Sequence, residues 1–207
     1  MGSFISALSR KEESAELLPL QQRVDVVVCS GSLSNSVEGL TQHIKQHMNE
    51  VVRTVRFETL PYNISDLNKF DLTGIDVLLL CHSIHNRRFS ITDVIDSLYD
   101  GFLQRARKTL GKSKVGVIAY DFPEDDLSPK NLLSKMATFR YTQHTTFECA
   151  SLALIGGKLD EGDVQLTEDQ LEELQQFFIN SSSPPIEETL IVTTRSSFHR
   201  LTCNVFN

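Results

Sequence analysis

The sequence lacks the features that mark several classes of protein. It has no tryptophan, and no apolar run approaches the roughly 18–20 residues needed to span a bilayer. Its 20 lysines and arginines are outnumbered by 27 aspartates and glutamates, which gives a net charge of −7. This balance counts against a nucleic-acid-binding protein, because such proteins usually carry a basic stripe. The remaining composition, 40% hydrophobic over 207 residues, is typical of one globular domain with tails.

The sequence also has no closely spaced pair of cysteines. The four cysteines are far apart and form no CxxC motif: Cys29, Cys81, Cys149 and Cys203. Most of them end or interrupt apolar runs, where a free cysteine behaves as a small hydrophobic residue. The N-terminus has no apolar segment of the kind that a signal peptide needs. We therefore expect a reducing, cytoplasmic compartment.

The N-terminus resembles a lipidation signal. The first six residues read MGSFIS, which fits the N-myristoylation pattern M-G-x-x-x-[ST] with Gly2 as the acylated residue. A single myristoyl chain binds membranes only marginally, and Arg10 and Lys11 are followed at once by two glutamates. We therefore predict reversible association with a membrane surface, aided by a protein partner. Residues 1–22 are expected to form a flexible arm.

Strand and helix patterns alternate over residues 23–180, which is expected to be one domain. Strands are predicted over residues 23–29, 51–60, 75–81, 115–120 and 147–155. The first predicted helix is capped by Ser36, and a short helical turn is expected within 61–72. A long amphipathic helix is predicted over 91–110, ended by Gly111. Another helix is predicted over 129–139, capped by Asp126 or Ser128, and a last one follows a capping box formed by Thr167 and Gln170. This alternation predicts an α/β fold with a doubly wound, mainly parallel sheet. Residues 181–207 form a tail that begins with serine and proline and contains a strand-like patch at 190–193.

The loop after the first predicted strand is rich in hydroxyl groups. It reads SGSLSNS and opens directly into a helix. Backbone N–H groups at a helix N-terminus bind anions, and the simpler interpretation is that serine and asparagine only cap the helix. The sequence thus suggests a phosphate or cofactor site formed by these residues: Ser30, Gly31, Ser32, Ser34, Asn35 and Ser36.

This strand, loop and helix, together with the segment LPYNISDLNKFDLTGIDVLLLCHSI and the later ASLALIGGK, resemble the flavodoxin-like proteins. The resemblance implies a three-layer fold with five strands in the order 2-1-3-4-5 over residues 23–180. Asn35 and Ser36 match the end of the loop that holds the FMN phosphate in that family, whereas Ser34 stands where a glycine is expected. FMN is therefore a candidate cofactor. His85, Phe89 and Tyr120 are the candidate walls for its ring.

A second resemblance is to small GTPases. IDVLLLCHSIHNRRFSITDV is similar to their fourth strand and helix, and FECAS to their base-side segment. Both glycines of the P-loop are replaced, by Cys29 and Ser34, and Asn35 replaces the lysine that contacts the β- and γ-phosphates. The resemblance therefore implies a pseudo-GTPase that has lost hydrolysis.

No catalytic residue and no metal ligand are assigned from the sequence. Cysteine and histidine side chains, the types that bind zinc, occur near the ends of two predicted strands: Cys29, Cys81, His82 and His85. The preferred interpretation is that the thiols are buried and that the histidines lie in a loop. His43 and His47 are read as a polar helix face, and the acids Asp121, Glu124, Asp125 and Asp126 as a solvated loop.

The preferred hypothesis is a membrane-associated regulatory or adaptor protein on a degenerate nucleotide-type fold. One alternative is an FMN-binding oxidoreductase or electron-transfer protein. Another is a nucleotide sensor that does not hydrolyse its ligand.

Overall fold

The computed structural model describes residues 22–160, 162 and 164–182. Within them lies a five-stranded sheet whose neighbouring strands are all parallel, in the order β2-β1-β3-β4-β5. The strands are Val24–Ser30 (β1), Val52–Thr59 (β2), Val77–Ser83 (β3), Val115–Tyr120 (β4) and Leu152–Ile155 (β5). Every residue of β3 and β4 is buried, as expected for parallel strands covered on both faces. The predicted α/β class and flavodoxin-like strand order are confirmed.

Helices cover both faces of this sheet. They are Glu38–His47 (α1), Ile64–Leu67 (α2), Ile84–Arg87 (α3), Asp100–Leu110 (α4), Pro129–Thr142 (α5), His144–Cys149 (α6) and Glu168–Ser182 (α7). The apolar core divides into two layers, one containing Phe102 and Phe139 and the other Leu40, Ile44 and Phe178. In the described ranges, no helix combines the length and the apolar character that crossing a bilayer requires.

The long helix predicted over residues 91–110 is wrong in its first half. The helix begins at Asp100, and residues 91–99 form an irregular loop. Asp93 and Asp96 adopt positive φ angles of 62° and 65° there, a conformation that interrupts a right-handed helix. The predicted stop at Gly111 is confirmed, because this residue has a φ of 90°.

The predicted fifth strand also begins too early. Strand β5 starts at Leu152, and the preceding residues form α6. Phe147 lies on that helix, with its ring centroid 4.8 Å from that of Phe139. The apolar run therefore belongs to a helix and to a strand. The sequence did not reveal the division, because a short apolar segment has no clear hydrophobic period.

The smaller capping predictions have mixed outcomes. Ser36 does not cap α1, because a 3-10 turn over Ser34–Val37 precedes the helix. The capping box before α7 is confirmed by two hydrogen bonds, from Thr167 N–H to Gln170 Oε1 at 3.0 Å and from Gln170 N–H to Thr167 Oγ1 at 3.2 Å. The short helical turn expected within 61–72 is α2. The predicted helix over 129–139 is confirmed as α5 and extends to Thr142, and Ser128 precedes it without a capping bond from its side chain.

Because all five strands are parallel, their carboxyl ends meet at one edge of the sheet and their amino ends at the opposite edge. The carboxyl edge holds the loops that follow each strand, and the amino edge holds the segments that lead into each strand. Helix α4 runs from the first edge to the second, since β3 precedes it and β4 follows it.

Candidate functional site

The candidate site lies at the carboxyl edge, between β1 and β3. Parallel sheets bind ligands where the strand order reverses, and in the order β2-β1-β3-β4-β5 this point lies between these two strands. The two loops meet there, because Asn86 Nδ2 donates a hydrogen bond of 2.6 Å to Ser32 Oγ. The space in which a ligand would lie is thus bridged by the protein itself.

The hydroxyl-rich loop bonds mainly within itself. The Ser30 side chain is buried, and its Oγ accepts a hydrogen bond from Ser32 N–H at 3.0 Å. Ser36 N–H donates to the carbonyl of Leu33 at 3.1 Å. Ser34 and Asn35 lie exposed in the 3-10 turn. The predicted residues therefore come together, but two of their donors are already used by the loop.

The N-terminus of α1 is covered by the loop that follows β5. Leu40 N–H, in the first turn of the helix, donates to the carbonyl of Leu159 at 3.1 Å. A Cβ atom placed on Gly39 would lie 1.8 Å from the carbonyl oxygen of Asp160, far inside any real contact. The loop 159–160 therefore packs directly on the backbone of α1, where a helix N-terminus would otherwise offer N–H groups to an anion.

Gly31 is enclosed by two tyrosines. A Cβ atom at this position would lie 3.6 Å from Cε1 of Tyr62 and 3.6 Å from the hydroxyl of Tyr99. Two tyrosine side chains therefore lie beside Gly31, at the distance of an ordinary van der Waals contact for an added Cβ atom. Tyr62 is 58% exposed and was missed by the sequence analysis, because it follows β2 and not a strand next to the switch point.

Two of the three side chains predicted to flank the flavin ring pack in or against the protein core. The Phe89 ring packs against Phe122 and Phe139, with centroid distances of 5.1 and 4.7 Å. Tyr120 is fully buried, and burial raises the pKa of its hydroxyl while the hydroxyls of Ser32 and Ser30 oppose that shift. Of the three, only His85 is exposed. This corrects the prediction for Tyr120, because its buried ring has no face free to stack on a ligand, whereas Phe89 is half-buried beside its two aromatic neighbours.

A serine–carboxylate pair joins the ends of β3 and β4. Ser83 Oγ donates to Asp121 Oδ2 at 2.5 Å and accepts from His85 N–H at 3.2 Å. Asp121 has a positive φ of 71°, and its N–H donates to the carbonyl of Gly157 at 2.9 Å. These bonds hold the carboxylate in a fixed position between three loops.

Within residues 22–160, no histidine side chain hydrogen-bonds to Ser83 as a base that activates a serine nucleophile would. His82 precedes Ser83 in the chain but is buried, with its Nε2 2.7 Å from the carbonyl oxygen of Arg88. Burial lowers the pKa of His82, and the contact with the Arg88 carbonyl opposes that shift. The hydrogen bonds of Ser83 and Asp121 hold the loops after β3, β4 and β5 in place, and they provide no imidazole base that takes a proton from Ser83.

A buried glutamine, missed by the sequence analysis, fixes the loop between α3 and α4. Gln143 Oε1 accepts from the N–H groups of Ile91 and Thr92 at 2.7 and 3.0 Å, and its Nε2 donates to the carbonyl of Phe89 at 2.9 Å. Thr92 Oγ1 also lies 2.8 Å from Thr146 Oγ1. No local pattern marks a glutamine as the partner of backbone 50 residues away, so this contact could be found only in three dimensions.

The cysteine and histidine side chains near the strand ends do not converge. Cys29 packs in one core layer and Cys81 in the other, so the two thiols lie on opposite faces of the sheet. Burial raises the pKa of both thiols. In the portion of the chain that the structure describes, no group of three or more potential metal ligands is found.

The other polar candidates pair within the protein. The rings of His43 and His47 stack with centroids 4.4 Å apart on α1. Asp126 forms an ion pair with Lys135 at 3.1 Å.

The residues at the carboxyl edge do not fit FMN. Residues 159–160 cover the N-terminus of α1, Tyr120 is buried in the core, and Phe89 packs against the core. An FMN phosphate at the first turn of α1, or a flavin ring stacked on Tyr120, would therefore have to displace protein groups.

Comparison with solved structures finds a similarity to a flavodoxin. A solved structure entitled "Structure of a flavodoxin from the domain Archaea" aligns with 77% of this chain and 96% of its own, at 11% identity and a TM-score of 0.27. No protein-family model matches the sequence, and no curated protein matches it. The resemblance to small GTPases has no support among these comparisons. What the sheet itself establishes is a flavodoxin-like α/β fold.

Proposed function

We propose that this protein is a membrane-associated adaptor whose flavodoxin-like domain binds no flavin and catalyses no reaction. The observation that carries this proposal is the packing of residues 159–160 on α1. In a flavodoxin-like fold the loop after β1 and the helix start behind it hold the phosphate, and here the protein's own backbone covers that helix start.

The charges around this position also disfavour a phosphate. Glu38 is the first residue of α1, and Asp160 lies against the same turn. A carboxylate at a helix N-terminus is stabilised by the helix dipole, and it repels an incoming anion. The sequence places no lysine or arginine within the loop 30–37 to offset this repulsion.

The membrane part of the proposal depends on the N-terminal motif. Gly2 fits the acylation pattern, although it lies outside the described residues. A myristoyl group would bring the domain to the cytoplasmic face of a membrane, where an adaptor engages a protein partner. A single chain gives only weak and reversible binding, so the proposal calls for a second contact with the membrane.

Flavin binding is the direct test of the non-catalytic part. We expect the purified full-length protein to be colourless and to leave the fluorescence anisotropy of added FMN unchanged. The variant Glu38→Gln/Asp160→Asn should behave in the same way, because the backbone contact at Gly39 remains when the two charges are gone. Saturable binding of FMN by the wild-type protein would overturn the proposal.

The same preparation tests the nucleotide-sensor alternative. A ligand that binds only the folded state raises Tm according to its concentration relative to Kd. We expect ATP and GTP to leave Tm unchanged, whereas a concentration-dependent rise with either nucleotide would favour the sensor.

A further inference from the structure

Four cations form a patch near the amino edge of the sheet, away from the carboxyl edge described above. Arg107 and Lys108 line one shallow depression beside Cys149, and Lys112 and Arg140 line a second depression beside Ala150. Because Cys149 and Ala150 are consecutive residues, the two depressions adjoin. We call Arg107, Lys108, Lys112 and Arg140 the basic patch.

The local sequence makes this patch unusual in an acidic protein. The chain carries a net charge of −7, yet residues 101–120 contain no aspartate or glutamate. Helix α7 packs against the turn Lys112–Lys114, and its residues 174–182 carry no charge at all. The acids among the residues that line the two depressions are Glu148 and Glu173, so the cations outnumber them four to two.

The four cations are available to a partner. All four residues are exposed, and among the residues that the structure describes none of them forms an ion pair. Arg140 stacks over the Phe147 ring at 4.5 Å from its centroid and lies near Glu173, and Arg107 contacts the Cys149 thiol. Arg105 differs, because its guanidinium donates to the carbonyls of Phe70 and Leu67 at 2.7 and 2.9 Å.

The patch lies on the side of the domain from which the N-terminal segment leaves. Val24 begins β1 at the amino edge, and Val115 begins β4 at the same edge. Only β3 separates these two strands, so the strands run about 10 Å apart across the sheet, and Val24 starts three residues before the level of Val115. The segment that carries Gly2 therefore joins the domain next to the basic patch.

We propose that the basic patch binds the headgroups of anionic phospholipids and is the second contact of this protein with the membrane. The proposal rests on the membrane part of the proposed function, which supplies the first contact through Gly2. An acyl chain combined with a basic patch gives stable binding where one chain alone does not. The rest of this acidic surface is repelled by an anionic membrane, so the amino edge is the side that faces the bilayer.

Vesicle binding tests the patch. We compare the full-length myristoylated protein with Lys108→Gln/Lys112→Gln, using vesicles of phosphatidylcholine alone and of phosphatidylcholine mixed with phosphatidylserine. Each cation near an anionic surface strengthens partitioning about fivefold, so the double variant should bind the mixed vesicles roughly 25-fold more weakly. Binding to phosphatidylcholine alone should not change, and added salt should remove the difference.

The matched control is Lys130→Gln/Lys158→Gln, which removes the same charge from exposed lysines at the carboxyl side of the domain. This variant should bind as the wild type does. The proposal is wrong if both double variants weaken binding equally, or if neither does. It is also wrong if the patch variant loses binding to single-stranded RNA but keeps its binding to phosphatidylserine.

The variant Gly2→Ala separates this proposal from the acylation that it accompanies. We expect Gly2→Ala to weaken binding to both kinds of vesicle and to keep the preference for phosphatidylserine. If Gly2→Ala binds as the wild type does, the lipid anchor is wrong while the patch stands. Loss of the phosphatidylserine preference in Gly2→Ala would overturn the patch.

Discussion

Replacing Gly39 by alanine is expected to lower the free energy of unfolding by about 3 kcal/mol, the upper part of the range for an added group in a packed site. The new Cβ would lie 1.8 Å from the carbonyl oxygen of Asp160 and 3.1 Å from that of Leu159. Both neighbours are backbone atoms, so no side-chain rotation relieves the contact and the loop after β5 must move away. Urea denaturation of the two proteins measures the difference.

Gly101→Ala is the matched control for this substitution. Gly101 and Gly39 are each the second residue of their helix. A Cβ on Gly101 would meet only the Asn68 side chain, at 3.2 Å from Oδ1, and alanine favours the helical state by about 1 kcal/mol over glycine. We expect Gly101→Ala to be neutral or stabilising. Equal stability of Gly39→Ala and the wild type would show that residues 159–160 do not pack on α1 as described.

The second large effect is expected at Gln143. Replacing it by alanine removes the partner of three backbone groups, the N–H groups of Ile91 and Thr92 and the carbonyl of Phe89. Because the N–H groups of Ile91 and Thr92 are in a buried part of the protein, leaving them unpaired should cost about 3 kcal/mol of unfolding free energy. Amide hydrogen exchange should show the loss of protection at Ile91 and Thr92.

The exposed Gln104 of α4 serves as the control for Gln143→Ala. Gln104→Ala should leave both the stability and the exchange of Ile91 unchanged. If Gln143→Ala destabilises the whole domain without a local rise in exchange at Ile91 and Thr92, the glutamine acts through packing and not through these hydrogen bonds.

Much of the sheet could be predicted from the sequence, because its strands are continuous apolar runs. RVDVVVC, IDVLLLC and VGVIAY each coincide with a buried parallel strand to within two residues. The two largest errors arose where a run of apolar residues does not correspond to a single helix or strand. Ile91 is buried, but its backbone is held by Gln143 and not by a helix, and the run that begins at Phe147 is divided between α6 and β5.

The position of the candidate site could be predicted from the sequence, but the loop that covers the start of α1 could not. Ser30 and Ser32 lie at the switch point because Ser30 ends the first strand and Ser32 follows it, and the phosphate or cofactor site expected there stays a prediction. What covers the start of α1 is a pair of residues about 120 positions after Gly39 and Leu40, namely Leu159 and Asp160, which act through their backbone carbonyls. Backbone atoms leave no trace in side-chain patterns, and the one signal in the sequence was Gly39, whose lack of a side chain lets the loop approach.

Hydrogen exchange at the amide of Leu40 tests the central claim, that the protein's own loop occupies the N-terminus of α1. First-turn amides of a helix have no partner within the helix, so this amide should exchange rapidly if the site is open. The hydrogen bond to the Leu159 carbonyl predicts exchange as slow as that of amides in the middle of α1. Rapid exchange of Leu40 that becomes slow only when FMN is added would contradict the account.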